Sequence, residues 1–297
     1  MDNRKVIYYQ DELNDEFSTF ETTPPKIDGS YDYERKSFSK KLSRFFLYRI
    51  VMYPIVVFYG RVIFGQKIVG KEKLKQYKKK GFFLYGNHTQ PFGDATLQTR
   101  LPWPTSTYII VHPNNLNVPV LGKWTPALGG LPLPDGMSAY KNFLAAIKNR
   151  ISEGHPVVIY PEAHIWPYYT KIRPFLDTSF RYPVEIGVPS FCFVNTYHKR
   201  RFRKRPKMIT YIDGPFFATE GSGVREKMKA LRDQVFARMT TRMQRTKVTA
   251  TNDHTAVIVS RPSMRGIIGA SAISRPPTRM RSRLILLLAF SSREAVL

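Results

Sequence analysis

The pairing in this chain best suited to chemistry is a histidine six positions before an aspartate, His88 and Asp94. In YGNHTQPFGDA, residues 85–95, an apolar run stops at Asn87-His88, Pro91 and Gly93 break the chain, and Asp94 follows. A carboxylate there can hold the imidazole in one tautomer and stabilise the cation formed on proton uptake, which is a general-base arrangement. The competing reading of His88 is a structural histidine satisfied inside a core. Three further segments carry polar groups at the edges of apolar runs. GGLPLPDG, 129–136, is a Gly-Pro-rich loop around a short strand. VVIYPEAHIWPYYTKIRPF, 157–175, sets Glu162 directly after an apolar strand, followed by His164, Lys171 and Arg173. The C-terminal end of a strand is where α/β sheets place ligand contacts, although a loop carboxylate can also simply pair with a cation. GVPSFCFVN, 187–195, is an apolar strand opened by a Pro turn.

These groups need elements to position them. Short apolar runs at 82–86, 107–111, 157–160, 190–195 and 208–212 predict strands. Between them, Ser138–Glu153 predicts a helix, with Tyr140, Phe143, Leu144, Ile147 and Ile151 on one face. Asp135 or Ser138 can cap its start and Gly154 can close its end. A second helix is expected over about 224–245. Strands alternating with helices argue for an α/β domain over 65–245.

Outside that domain the composition changes. Residues 1–37 are read as an acidic arm: positions 1–34 hold nine acidic and three basic side chains, with six aromatics able to dock it. The start, MDNRKVIYYQDELNDEF, lacks an apolar signal-peptide core, which predicts the reducing, cytoplasmic side. One cysteine, Cys192, excludes an internal disulfide framework, and the six histidines show no metal-ligand spacing, so no metal is expected. Residues 38–64, FSKKLSRFFLYRIVMYPIVVFYGRVIF, are strongly apolar, yet the longest uncharged stretch is 50–60 and Pro54 sits inside it. A single span needs about 20 apolar residues. The segment therefore reads as a kinked or paired helix lying in one leaflet, with Phe45, Phe46, Tyr48, Arg49, Tyr53 and Phe58 as membrane contacts. A buried helical hairpin is the alternative. Residues 246–297 form a basic tail with a single aromatic, Phe290, and are expected to be disordered.

The order of these blocks resembles the glycerophospholipid acyltransferase family, the lysophosphatidate and glycerol-3-phosphate type. Asn87-His88 with Asp94 resembles its His–Asp catalytic block, GGLPLP its second block, Tyr160-Pro161-Glu162 with Arg173-Pro174-Phe175 its third, and Val188-Pro189 its fourth. The likeness covers roughly residues 45–240. It implies a mixed β-sheet flanked by helices, with His88 and Asp94 catalytic and with Glu162, His164, Lys171, Arg173 and Gly130 around the acceptor. It also implies direct acyl transfer from acyl-coenzyme A or an acyl carrier protein as co-substrate, with no cofactor, to a hydroxyl of a lysophospholipid or related acceptor. Backbone amides after His88 are the expected oxyanion donors, and His164 is a second candidate base.

The chain departs from the pattern. Five residues separate His88 from Asp94 where the family has four, and Gly93 stands at the usual Asp position. Pro134 and Asp135 replace the second block's Arg, and Ala163-His164-Ile165 replaces Gly-Thr-Arg. These losses open the alternative of an acceptor other than a glycerol phosphate. The net charge of +25 is concentrated in KEKLKQYKKK, 71–80, and HKRRFRKRPK, 198–207. Such runs suit an anionic membrane lipid surface or an acidic carrier protein. Without a nucleic-acid fold signature, no specific nucleic acid is expected. A non-catalytic basic binding protein is the remaining alternative.

Overall fold

The computed structural model describes residues 6–17, 23–90, 92–119, 121–201, 203, 205–219, 223–246 and 257–260. Among the described residues nine strands appear in chain order: β1 Val6–Tyr9, β2 Lys67–Val69, β3 Phe83–Gly86, β4 Tyr108–Val111, β5 Gly130–Pro132, β6 Val157–Ile159, β7 Ser190–His198, β8 Lys207–Phe216 and β9 Val257–Ser260. Seven of them make one sheet in the order β2-β8-β7-β3-β6-β4-β5. All neighbours are parallel except β7 and β8, which pair antiparallel, so the sheet is mixed and the expected α/β class holds. β1 pairs separately with β9. The rest of 246–297 beyond Thr246 lies outside the described residues.

Alternation along the strands divides the core into two faces. Phe83, Tyr85, Val157, Ile159, Cys192 and Val194 point to one face. Phe82, Leu84, Val158, Phe191 and Phe193 point to the other. Runs apolar on both sides mark strands covered on both sides. The helices Gly136–Ser152 and Val224–Met243 bury Phe143, Ile147, Leu231, Val235 and Met239 against the first face. The first of these starts two residues before the sequence expectation. Asp135 stands at its N-cap without a side-chain cap bond, because its Oδ2 accepts from the Ile27 amide at 2.8 Å.

Residues 38–63 form one continuous helix of 26 residues, not a pair. By length and composition it is long and apolar enough to cross a membrane. Proline at 54 removes one N–H from the ladder, and π-type turns at Phe46–Met52 and Tyr59–Ile63 flank it. Tyr48, Met52, Val56 and Gly60, spaced by four, all turn inward. An α-helix advances about 3.6 residues per turn, so a strict four-residue stripe drifts round its surface; the wider turns keep it in line. Val56 joins Phe64, Leu97, Tyr197 and Met208 in a third cluster. The opposite side leaves Phe38, Leu42, Phe45, Phe46, Ile50, Ile55 and Phe58 exposed.

This corrects two of the expected membrane contacts. Tyr48 is 3% exposed, and its hydroxyl lies 2.9 Å from both Thr107 Oγ1 and the Thr107 amide. Tyr53 stacks on Trp103 with centroids 3.4 Å apart. Arg49 also turns partly inward, donating to the Pro104 carbonyl at 3.0 Å and lying over Trp103. Phe45, Phe46 and Phe58 remain on the open side.

Candidate active site

β3 ends at Gly86, and the chain leaves the sheet with Asn87 and His88 at the C-terminal ends of the parallel strands. Asn87 braces the exit: its Oδ1 accepts from the Asn195 amide at 2.8 Å and its Nδ2 donates to the Asn195 carbonyl at 3.2 Å. The chain then turns, and a short helix, Gly93–Thr96, returns Asp94 to the imidazole. His88 Nδ1 and Asp94 Oδ2 are 2.9 Å apart, both residues being buried. The six-residue interval therefore closes across a turn, as the breaks at Pro91 and Gly93 require. Gly93 is packed so tightly that a Cβ would lie 2.7 Å from Leu97.

Three other elements fix the imidazole. The Tyr160 ring stacks on it with centroids 4.4 Å apart and planes at 14°, while the Tyr160 hydroxyl donates to the Asp94 carbonyl at 2.6 Å. Glu162 Oε2 accepts from the His88 amide at 3.0 Å, and Oε1 accepts from the Arg173 amide at 3.1 Å. Tyr197 on β7 lies within hydrogen-bond distance of Thr89 Oγ1 and accepts from Gln90 Nε2 at 2.8 Å. Burial pushes the carboxyls of Asp94 and Glu162 upward; the hydrogen bond to His88 opposes this at Asp94 and the Arg173 charge opposes it at Glu162.

Several expected roles change. Amides after His88 are the anticipated oxyanion donors, yet the Gln90 amide donates to Asp94 Oδ2 at 2.7 Å, and the His88 amide is held by Glu162. Arg173 is 1% exposed and donates to the carbonyls of Glu12, Glu162 and His164, with its guanidinium 4.6 Å from the Trp166 centroid. Its guanidinium is thus committed to these carbonyls and to the ring. His164 Nδ1 lies 2.7 Å from Glu16 Oε2, so the acidic arm covers it. The same arm accepts the Trp166 indole N–H on the Asp15 carbonyl at 2.8 Å and packs Tyr9 and Phe17 against that ring. Lys171 is exposed on the loop. Gly130 lies at the opposite end of the strands, where it lines an apolar cavity.

That cavity runs between the apolar helix and the second face of β4. Met52, Val56, Ile109, Val111 and Leu128 line it, as do Ala95 and Thr96, the two residues after Asp94. Tyr160, Tyr197 and Gln90 are the positioning groups that sequence reasoning missed. Tyr160 sits inside a quoted motif, but nothing local announces its stacking; Tyr197 reaches Gln90 across 107 positions.

No family model matches the chain, and no curated protein matches it. Among solved structures, the chain is similar to the 1-acyl-sn-glycerophosphate (LPA) acyltransferase PlsC from Thermotoga maritima. The identity is 17%, the match covers 70% of this chain and 97% of that one, and the TM-score is 0.45.

Proposed function

We propose that the chain is an acyltransferase that moves a fatty acyl group from a thioester to a hydroxyl of a glycerolipid-type acceptor such as a lysophospholipid. The observation that carries this reading is the buried His88–Asp94 pair, 2.9 Å apart, with an apolar cavity lined in part by the two residues after Asp94. Asp94 orients Nδ1, so the opposite ring nitrogen is the base. It takes the acceptor's hydroxyl proton as the oxygen attacks the thioester carbonyl. The C–O bond forms, the C–S bond breaks, and the proton passes to the departing thiolate. No acyl-enzyme is formed, so no activated serine is needed. The apolar cavity, about 50 Å3 in volume, takes only part of an acyl chain, and the donor is acyl-coenzyme A or an acyl carrier protein.

A second reading of the acceptor has its own support. Arg173 is buried on carbonyls and His164 is paired with Glu16. Of the cations suggested for the acceptor's phosphate, only Lys171 is exposed, which favours an acceptor other than a glycerol phosphate. The exposed apolar side of the Phe38–Ile63 helix, with the Lys and Arg around it, suits the surface of an anionic membrane on its cytoplasmic side. One face of that helix is packed on the domain, which favours lying along the interface over crossing it.

The test is thiol release from long-chain acyl-coenzyme A with glycerol 3-phosphate, lysophosphatidate, other lysophospholipids and simple alcohols as acceptors. Acceptor-dependent release that falls by on the order of 100-fold or more in His88→Ala is expected for a general base. Unchanged release in that variant overturns the assignment.

A further inference from the structure

A second cavity lies at the N-terminal ends of β4 and β6, the opposite end of the strands from His88. Its volume is about 260 Å3, just under the roughly 300 Å3 at which small-molecule sites begin. Its walls are unusually rich in guanidinium. Tyr108 forms the centre, with Arg44 Cζ 4.1 Å and Arg150 Cζ 5.0 Å from its ring centroid. Arg35 also lines the cavity.

The carboxylates nearby are already taken. Asp32 pairs with Lys40 at 2.5 Å, and Arg150 meets Glu34 at 3.2 Å and Glu153 at 2.8 Å. Among the described residues neither the Arg44 nor the Arg35 guanidinium has an ion pair with a carboxylate, although the Arg35 amide donates to Asp32 Oδ1 at 2.8 Å. Arg44 donates to the carbonyls of Ala127 and Thr107, at 3.2 and 3.3 Å, and otherwise lies against the rings of Tyr48 and Tyr108. A guanidinium carries five N–H donors in a planar fork, so Arg44 keeps donors in surplus. Arg35 Nε, Arg150 Nε and the Tyr31 hydroxyl are buried without a hydrogen-bond partner, and all three residues line the cavity. Buried polar groups are normally satisfied, and a cluster of unsatisfied donors marks a place where a further acceptor fits. On the same wall, burial and then Arg44 depress the His155 pKa, while Glu153 opposes them.

We propose that this cavity is a binding site for a phosphate or phosphate ester, held by Arg44 and Arg35 with Arg150 and the Tyr31 hydroxyl. The Arg44 guanidinium, free of carboxylates and lying against the Tyr108 ring, with Arg35 lining the same cavity, offers a tetrahedral, doubly charged oxyanion several charge-assisted bonds at once. The site is remote from His88, and the inference does not rest on the acyltransferase reading. The phosphate can belong to a soluble ester or to a lipid headgroup, since Arg44 sits near the start of the apolar helix.

The experiment is equilibrium binding to the full chain of two probes: inorganic phosphate, and dihexanoyl phosphatidate held below its micelle-forming concentration. Arg44→Gln, Arg35→Gln and His88→Ala run beside the wild type, with circular dichroism confirming the fold of each. Saturable binding weakened at least tenfold by Arg44→Gln and clearly by Arg35→Gln, and unchanged by His88→Ala, is expected. Preference for phosphatidate by tenfold or more assigns a headgroup; equal binding assigns a soluble phosphate. If Arg44→Gln does not fold, Arg35→Gln decides alone. Absence of binding of both probes to the wild type overturns the proposal, as does wild-type affinity in the folded arginine variants.

Discussion

The two ends of the parallel strands are built from opposite charges and opposite surpluses. At the C-terminal ends, two buried carboxylates are held by amides, an imidazole and a guanidinium. His88 is fixed three times over, by its amide, its Nδ1 and its ring face, each from a different partner. At the N-terminal ends, the Arg44 guanidinium rests on carbonyls and rings, Arg150 is held by Glu34 and Glu153, and buried donors remain without acceptors. The first arrangement over-determines a geometry, which suits proton transfer at a set atom. The second leaves valences open, which suits capture of an anion. The apolar cavity along β4 lies between them, lined by Thr96 and by Gly130.

The contrast breaks first at His88. Replacing His88 by alanine should lower turnover by about 100- to 10,000-fold, the span of a general base, while phosphate binding at the far end stays intact. Asp94→Asn should lower turnover by on the order of tenfold or more and also change the pH dependence of stability. Burial raises the Asp94 carboxyl in the folded state, so the folded protein binds the proton more tightly than the unfolded chain. Stability then declines as pH rises from the unfolded carboxyl value through the folded one. In Asp94→Asn that decline should shrink, which melting curves across pH will show.

A stability comparison between two arginines sharpens the picture. Arg173→Ala strands the buried Glu162 carboxylate and should cost about 3–5 kcal/mol. Arg44→Ala removes a cation that leaves only carbonyls and rings behind, and should cost about 1–2 kcal/mol. Denaturant melts of both measure the difference; equal losses would show that Arg173 does not compensate Glu162. A smaller effect of opposite sign is expected at Ala163, which adopts φ 62° in the loop beside Glu162. A left-handed residue with a Cβ costs about 1–2 kcal/mol, so Ala163→Gly should stabilise by about 1 kcal/mol. The smallest folding effect belongs to the open face of the apolar helix. Changing Phe45, Phe46 and Phe58 to serine should alter stability by only about 0.5 kcal/mol per site, yet should abolish sedimentation with anionic vesicles.

Much of the sheet was legible because its strands are buried on both faces. β3, β4, β6 and β7 carry the apolar runs FLYG, YIIV, VVI and FCFV, whereas β8 shows the other strand signal, alternating buried and half-buried residues over KMITYI. β2 was illegible: three residues, two of them exposed, held by pairing with β8 alone. The His88–Asp94 contact was legible since the partners are six positions apart and a turn lies between them. Glu162 lies 74 positions from the amide it holds, and Glu16 lies 148 from His164. No local pattern encodes contacts of that range. The apolar helix was misjudged in a different way. Its interrupting Arg49 lies against Trp103 and the Pro104 carbonyl, so a charge that divides the stretch in sequence does not divide the helix in space.

The antiparallel hairpin of β7 and β8 carries a last consequence. Arg200 and Arg203, in its connecting loop, donate to the carbonyls of Ile63 and Val62 at 3.2 and 2.9 Å. They finish the last turn of a helix whose open side is apolar, where bare carbonyls would otherwise need water. The loop that supplies them belongs to a run with seven Lys or Arg in ten residues. An apolar surface laid against the open side of the helix would meet this charged loop at the helix's C-terminal end. The end of that helix is thus closed from the sheet, by a hairpin about 140 positions away in sequence.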